Sequence, residues 1–238
     1  MPLKTRILLT TVAMAVIAVL ARVLVYRSRR AGNKSTYTAT ALLGRLVIIS
    51  AVTWPMITFY MVINNRPALH TTVVMPSWVP FWPAFTLPYL AMLLVTWLLP
   101  LTIRDGGRFR ACLLAMVCAY LLVMPWWILA PTTLARPPLP DGWWAGLYRS
   151  LAAIDAPNNV MPCAHGSGPV IAAWFVFRDR PTWRWPLIAM LVLGLPSIAF
   201  VWQHRPIDIV LGLVAAAVGI AVGEALNRGR QAGNYNHL

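Results

Sequence analysis

Charge is what this chain has least of. Only 11% of its 238 residues are charged, and six Asp and Glu stand against twenty Lys and Arg. A hydrophobic share of 59%, twelve tryptophans and a mean hydropathy of +0.67 complete the composition of a polytopic membrane protein. In a soluble domain a net charge of +14 would point to nucleic acid. Here the basic residues sit in short loops between apolar runs, so they speak for membrane topology, and nucleic acid is excluded as a partner. Cysteine is also sparse. Cys112, Cys118 and Cys163 form no CxxC pair and have no histidines at zinc-finger spacing, so neither a disulfide framework nor a structural zinc site is expected. Internal repeats, low-complexity tracts and long linkers are missing too, so no division of the chain into separate domains is expected.

What is present is a series of apolar runs. Crossing about 30 Å of hydrocarbon takes about 20 helical residues, and seven segments are expected to span, the fifth of them short: Ile7 to Tyr26, Leu43 to Ile63, Trp78 to Ile103, Ala111 to Leu129, Ala164 to Phe177, Trp185 to Trp202 and Ile207 to Leu226. Prolines at 55, 83, 88, 125 and 196 predict kinks within them. The expected fold is an all-α membrane bundle, six core helices plus one extra N-terminal transmembrane helix. Residues 1–35 hold that helix and a basic loop, 36–230 the core, and 231–238 a polar tail.

The basic residues orient this bundle. With Arg22 inside the first run set aside, thirteen Lys and Arg fall on one side, among them Arg27, Arg45, Arg104, Arg178 and Arg228. Six fall on the other: Lys4, Arg6, Arg66, Arg136, Arg149 and Arg205. The positive-inside rule makes the first set cytoplasmic, so Arg136, His165, His204 and Asp208 face the periplasm or exterior of a cell (inner) membrane. Lys4 and Arg6 before "ILLTTVAMAVIAVLA" also have the form of a signal peptide. Cleavage would leave "YRSRRAGNK" outside, against the charge rule, so the segment is expected to remain as a helix.

Histidine occurs at 70, 165, 204 and 237 only. His165 and His204 stand at the mouths of predicted helices on the same side, where a headgroup-layer anchor is the plain reading and a site the sharper one. In "HRPID" a helix starting at Pro206 puts Asp208 in its first turn. From there the carboxylate can reach back to the His204 N–H, fix the tautomer and leave the other nitrogen free as base or nucleophile; a first-turn acid favoured by the helix dipole is the alternative. Gly166 and Gly168 in "PCAHGSGP" open the fifth run with little bulk. Unpaired N–H groups there suit a phosphate or another anion, and small residues equally suit close helix packing.

These residues together resemble the motifs of the type 2 phosphatidic acid phosphatase superfamily, in the branch of inositol phosphorylceramide synthase. The P-S-x-H motif is matched by "PCAH", with Pro162 and His165 in register and Cys163 in place of serine. The S-R-x5-H-x3-D motif is matched by "SIAFVWQHRPID", where Ser197, His204 and Asp208 keep the spacing and Ile198 replaces arginine. Of K-x6-R-P only Arg136 and Pro137 remain, with Leu129 at the lysine position. Asp155, Pro157 and Asn159 fit the branch's Asp-x-Pro-x-Asn segment, and "WVPFWPAFTLPYLAML" is similar to its Ile-Pro-Phe-x-Pro helix start. The resemblance spans most of Trp78 to Gly212.

The resemblance implies a lipid phosphatase or phosphotransferase acting on a membrane lipid without metal or other cofactor. His204 would attack phosphorus, Asp208 would orient His204, and His165 would protonate the leaving alcohol. Arg136, Gly166 and Ser197 would hold phosphate oxygens. With the family's lysine and second arginine replaced, Arg66, Arg149 and Arg205 become candidate substitutes, and a singly charged phosphodiester fits better than a monoester. Asn159 and Ser167 are further candidate substrate contacts. Three rival readings stand beside this one. Ser167 could be a nucleophile in "HGSG". His165, His204 and Asp208 could bind iron as two histidines and a carboxylate. A disabled bundle could serve as a lipid carrier or scaffold. Trp143 and Trp144, after the Arg136 loop, suit an interfacial amphipathic segment.

Overall fold

The computed structural model describes residues 35–66, 70–139 and 141–235. The chain forms two compact units, Met1–Asn65 and Arg66–Leu238. In the first, α1 (Ser35–Asn64) is a long apolar helix with Pro55 inside it. The predicted run at Ile7 to Tyr26 lies outside the described residues.

The second unit contains α2 (Thr86–Leu98), α3 (Gly106–Leu129), α4 (Trp143–Ile154), α5 (Ala164–Asp179), α6 (Arg184–Phe200) and α7 (Pro206–Tyr235). Short 3-10 turns extend α2 at both ends, over Pro83–Phe85 and Leu99–Thr102, and another precedes α6 at Pro181–Trp183. Pro83 opens its turn, and Pro88 lies in the first turn of α2, where backbone N–H groups have no helical partner in any case. Neither therefore interrupts a helix, contrary to the expected kinks, whereas Pro55, Pro125 and Pro196 lie inside theirs.

Among the described residues five helical segments are long and apolar enough to cross a membrane: Ala41–Asn64, Pro83–Thr102, Gly106–Leu129, Pro181–Phe200 and Pro206–Gly229. The protein is thus a mostly helical integral membrane protein. The fifth predicted run, α5, has 16 residues, about 24 Å of helix at 1.5 Å per residue. It packs against α2, α3, α6 and α7, and Ile171, Ala172, Phe175 and Val176 are wholly buried. A helix packed against four others, with Trp174 and Phe177 left exposed, need not match the hydrocarbon thickness, which accounts for its shortness.

Lipid tails are as apolar as leucine, so helices associate in a bilayer through close packing rather than through water exclusion. The extensive α3–α7 contact shows the means. A Cβ at Gly219 would run into the Ala115 carbonyl, and one at Gly223 would lie 2.6 Å from the Ala111 carbonyl oxygen. Large apolar side chains accordingly face outward, among them Leu129 at 81% exposure and Trp78 at 72%.

Two three-residue strands, β1 (Thr71–Val73) and β2 (Thr132–Leu134), form a parallel pair with Thr71 opposite Thr132 and Val73 opposite Leu134. This ladder departs from the all-α expectation. "TTV" and "TTL" are β-branched or aliphatic, but too short to register as strands in a hydropathy reading. At the opposite end of the second unit the basic loops converge on Asp179. Its carboxylate accepts from the Arg104 and Asp105 backbone N–H groups at 2.7 and 3.2 Å and lies 3.5 Å from Arg108.

Candidate functional site

Three pieces of chain meet at the β2 end of the second unit: the segment 155–163, the first turn of α5, and the link from α6 to α7. The first is held by β2. Asn159 N–H donates to the Thr132 carbonyl at 2.7 Å, Leu134 N–H to the Pro157 carbonyl at 2.9 Å, and Met161 N–H to Thr132 Oγ1 at 3.2 Å. Beneath it the Trp127 indole N–H donates to the Pro162 carbonyl at 3.1 Å.

The α6–α7 link is a helix stop of the Schellman type. Gln203 N–H donates to the Ile198 carbonyl at 3.1 Å and Trp202 N–H to the Ala199 carbonyl at 2.9 Å. Trp202 takes the left-handed position, φ 50°, usually given to glycine. A second left-handed residue, Asn159 with φ 54°, stands just before Val160. Such a conformation costs a non-glycine residue about 1–2 kcal/mol. The two strained residues flank the same contact, because Trp202 is two positions before His204 and Asn159 is one before the carbonyl that His204 meets.

That contact sets the tautomer. His204 Nδ1 lies against the Val160 carbonyl oxygen, which can only accept, so Nδ1 carries the proton. Nε2 is then the lone-pair nitrogen, and it faces His165 Nδ1 at 3.0 Å. The two rings stand at 65° with centroids 5.2 Å apart, and Tyr89 meets the His165 ring edge-on at 5.8 Å. Burial, and then the neighbouring His165, pushes His204 down from 6.5 to about 3. His204 is 4% exposed, whereas His165 is half-buried and forms the accessible side of the pair.

The expected role of Asp208 needs correction. Its carboxylate, fully buried, accepts from Arg205 Nη2 at 2.8 Å, Arg205 Nε at 3.0 Å and the Arg205 backbone N–H at 2.9 Å. Val160, rather than Asp208, accepts from the His204 ring. Asp208 serves the site through its backbone, since its carbonyl accepts from Cys163 N–H at 3.0 Å and so ties α7 to the start of α5. Close approach there depends on Gly212, where a Cβ would strike the Cys163 carbonyl.

Of the expected phosphate ligands, Arg136 is at the site. It donates to the Asp155 carbonyl at 2.7 Å and the Tyr148 hydroxyl at 3.2 Å, and it acts electrostatically on His204. Gln203, its amide assigned by its neighbours' chemistry, accepts from Arg136 Nη1 at 2.5 Å and donates to Asp155 Oδ2 at 3.0 Å. Gly166 is not an open phosphate seat. Its N–H faces the Cys163 sulfur, and a Cβ on it would meet Ile209 and Leu195 at 3.6 and 3.8 Å. Burial pushes the Cys163 thiol above its ordinary range. Gly168 is a packing position, with a Cβ 3.2 Å from Thr96.

The hydroxyls of Ser197 and Ser167 turn back on their own helix, to the Gly194 carbonyl at 2.5 Å and the Ala164 carbonyl at 2.9 Å. Arg66 caps the end of α3, donating to the Trp127 and Ile128 carbonyls at 2.9 Å each. Arg149 lies on the exposed face of α4, and Arg205 is committed to Asp208. Asn159 is fully buried, and neither polar atom of its amide has a partner among the described residues.

Sequence reasoning missed Val160, Gln203, Tyr148 and Tyr89. Gln203 adjoins His204 and was open to notice. A backbone carbonyl such as that of Val160 leaves no signature in residue type. No protein-family model and no curated protein sequence matches the chain.

Proposed function

We propose that this protein is a membrane-embedded lipid phosphatase or phosphotransferase that works through a phosphohistidine on His204, on the non-cytoplasmic face. The observation that carries the reading is the 3.0 Å approach of His165 Nδ1 to His204 Nε2, with the Val160 carbonyl fixing the proton on the other nitrogen of His204. A neutral imidazole with a directed lone pair is a nucleophile, and an adjacent imidazolium is a general acid.

At 3.0 Å there is no room for a phosphorus atom between the rings. The half-buried His165 swings aside to admit the phosphate. His204 Nε2 then attacks phosphorus, the P–N bond forms, the P–O bond to the lipid alcohol breaks, and His165 gives that oxygen its proton. Water or a second alcohol next attacks the phosphohistidine. It loses its proton to His165 and breaks the P–N bond, which returns both histidines to their starting forms.

Charge supports a phosphodiester as substrate. Arg205 is neutralised by Asp208 and Arg66 is spent on the end of α3, which leaves Arg136, among the described residues, as the cation acting on His204, with the Asp155 carboxylate acting on His165. One cation suits one negative charge. α4 supplies the approach for the lipid: Trp143 and Trp144 are exposed on it while Ala145, Tyr148 and Leu151 are buried, the spacing of a helix lying in an interface.

The test is phosphorus release or transfer by purified protein in mixed micelles of phosphatidic acid or a phosphodiester lipid, with the acid-labile phosphoenzyme followed by mass spectrometry. Loss of the phosphoenzyme in His204→Gln, and a rate about 10²- to 10⁴-fold lower in His165→Gln, are expected. Equal rates in wild type and His204→Ala would overturn the enzyme reading in favour of a lipid carrier or scaffold.

A further inference from the structure

The sulfur of Cys163 and one ring nitrogen each of His165 and His204 all lie within 4.8 Å of one another. We propose that these three side chains form a binding site for a thiophilic divalent cation of the zinc type, closed on the protein side and open toward the half-buried face of His165.

The donor set fits, and so does the spacing of the two histidine nitrogens. One thiolate and two imidazoles are ligands that zinc accepts in tetrahedral sites with one position left for water. Two nitrogens bound to one such ion at about 2.0–2.1 Å are about 3.3 Å apart, close to the 3.0 Å found between His165 Nδ1 and His204 Nε2. The supporting groups are also in place. A metal-bound histidine almost always donates its other N–H to a carbonyl or carboxylate, and His204 Nδ1 already meets the Val160 carbonyl. Burial works against the Cys163 thiolate, and the N–H groups of Gly166 and His165, which face the sulfur, work for it.

Asp208 is not a ligand, because Arg205 holds both of its oxygens. The third donor is Cys163, which makes this a softer site than two histidines and a carboxylate. On binding, the cation takes the lone pairs of both nitrogens, and the proton on His165 Nδ1 and the Cys163 proton leave to solvent. Apparent affinity therefore rises with pH. One consequence rests on the phosphotransfer reading: the ion occupies the same His204 Nε2 that would attack phosphorus, so a loaded site is silent.

The experiment is titration of the detergent-purified full chain with cobalt(II), read by absorption, followed by displacement with zinc. Wild type is expected to take up one cobalt with tetrahedral d–d bands and a thiolate-to-cobalt charge-transfer band. Cys163→Ser should lose the charge-transfer band, and His204→Gln should bind about ten- to a hundredfold more weakly, the scale seen even for groups that only support a metal ligand. Cys112→Ser and Cys118→Ser should match wild type. Absence of stoichiometric uptake, or a charge-transfer band that survives Cys163→Ser, would overturn the site. These readouts involve no turnover, so the metal site can stand while the phosphotransfer reading fails, and the reverse.

Discussion

Replacing Arg205 with leucine leaves a fully buried carboxylate without its counter-ion. The Asp208 side chain is 0% exposed and that of Arg205 18%, with Nη2 to Oδ1 at 2.8 Å. At an effective dielectric of 20, unit charges at that separation attract by about 6 kcal/mol. Both partners have been desolvated to reach it, so the pair is worth far less against an apolar isostere. Breaking it from one side, however, typically costs about 3–5 kcal/mol. The structure thus predicts a strongly coupled cycle. Arg205→Leu alone should destabilise by about 3–5 kcal/mol, and Arg205→Leu with Asp208→Leu by much less than the sum of the two single changes. Reversible unfolding in mixed micelles measures the cycle, and nitrogen NMR of the histidine rings reports His204. The Nδ1–H tautomer should persist in Asp208→Asn, because the Val160 carbonyl sets it. Additive energies, or a His204 tautomer that changes with Asp208→Asn, would refute the assignment of Asp208 to Arg205.

Other predictions concern the surroundings of the pair. His204 takes up a proton near 6.5 in the unfolded chain but not until about 3 in the folded one. Stability from this residue is therefore complete above pH 6.5 and declines as pH falls toward 3; His204→Gln should flatten that part of a plot of unfolding midpoint against pH. Gly212→Ala drives a Cβ into the Cys163 carbonyl, which is backbone and cannot turn away, and should cost about 1–3 kcal/mol. Gly146→Ala meets nothing within 4 Å on the helix α4 and should stabilise by about 0.5–1 kcal/mol; thermal unfolding of the two variants separates them. Arg136→Lys cannot keep the contacts to Asp155, Tyr148 and Gln203 together, so phosphotransfer should fall by more than tenfold, while Arg149→Lys on the exposed face leaves it within about twofold.

The sequence by itself determined the membrane class and most helix positions, because a run of about 20 apolar residues has one stable way to cross a bilayer and that requirement is local. It also singled out His165 and His204 by their scarcity and their place at helix mouths. What it could not settle was which atoms meet. The spacing of His204 and Asp208 permitted a carboxylate–imidazole contact, yet Arg205, one residue nearer, carries a full charge and takes the carboxylate first. The His204 N–H then goes to Val160, 44 residues away in sequence. The apolar pattern likewise marked α5 as a span without revealing that it packs against four other helices and so can stay short. Cys163 read as an odd substitution in a motif, and only the joining of α5 to α7 through the Asp208 carbonyl sets its sulfur beside both histidines. Hydropathy acts residue by residue along the chain and can be read there. Hydrogen-bond partners are chosen by competition among groups that only the folded backbone brings within reach.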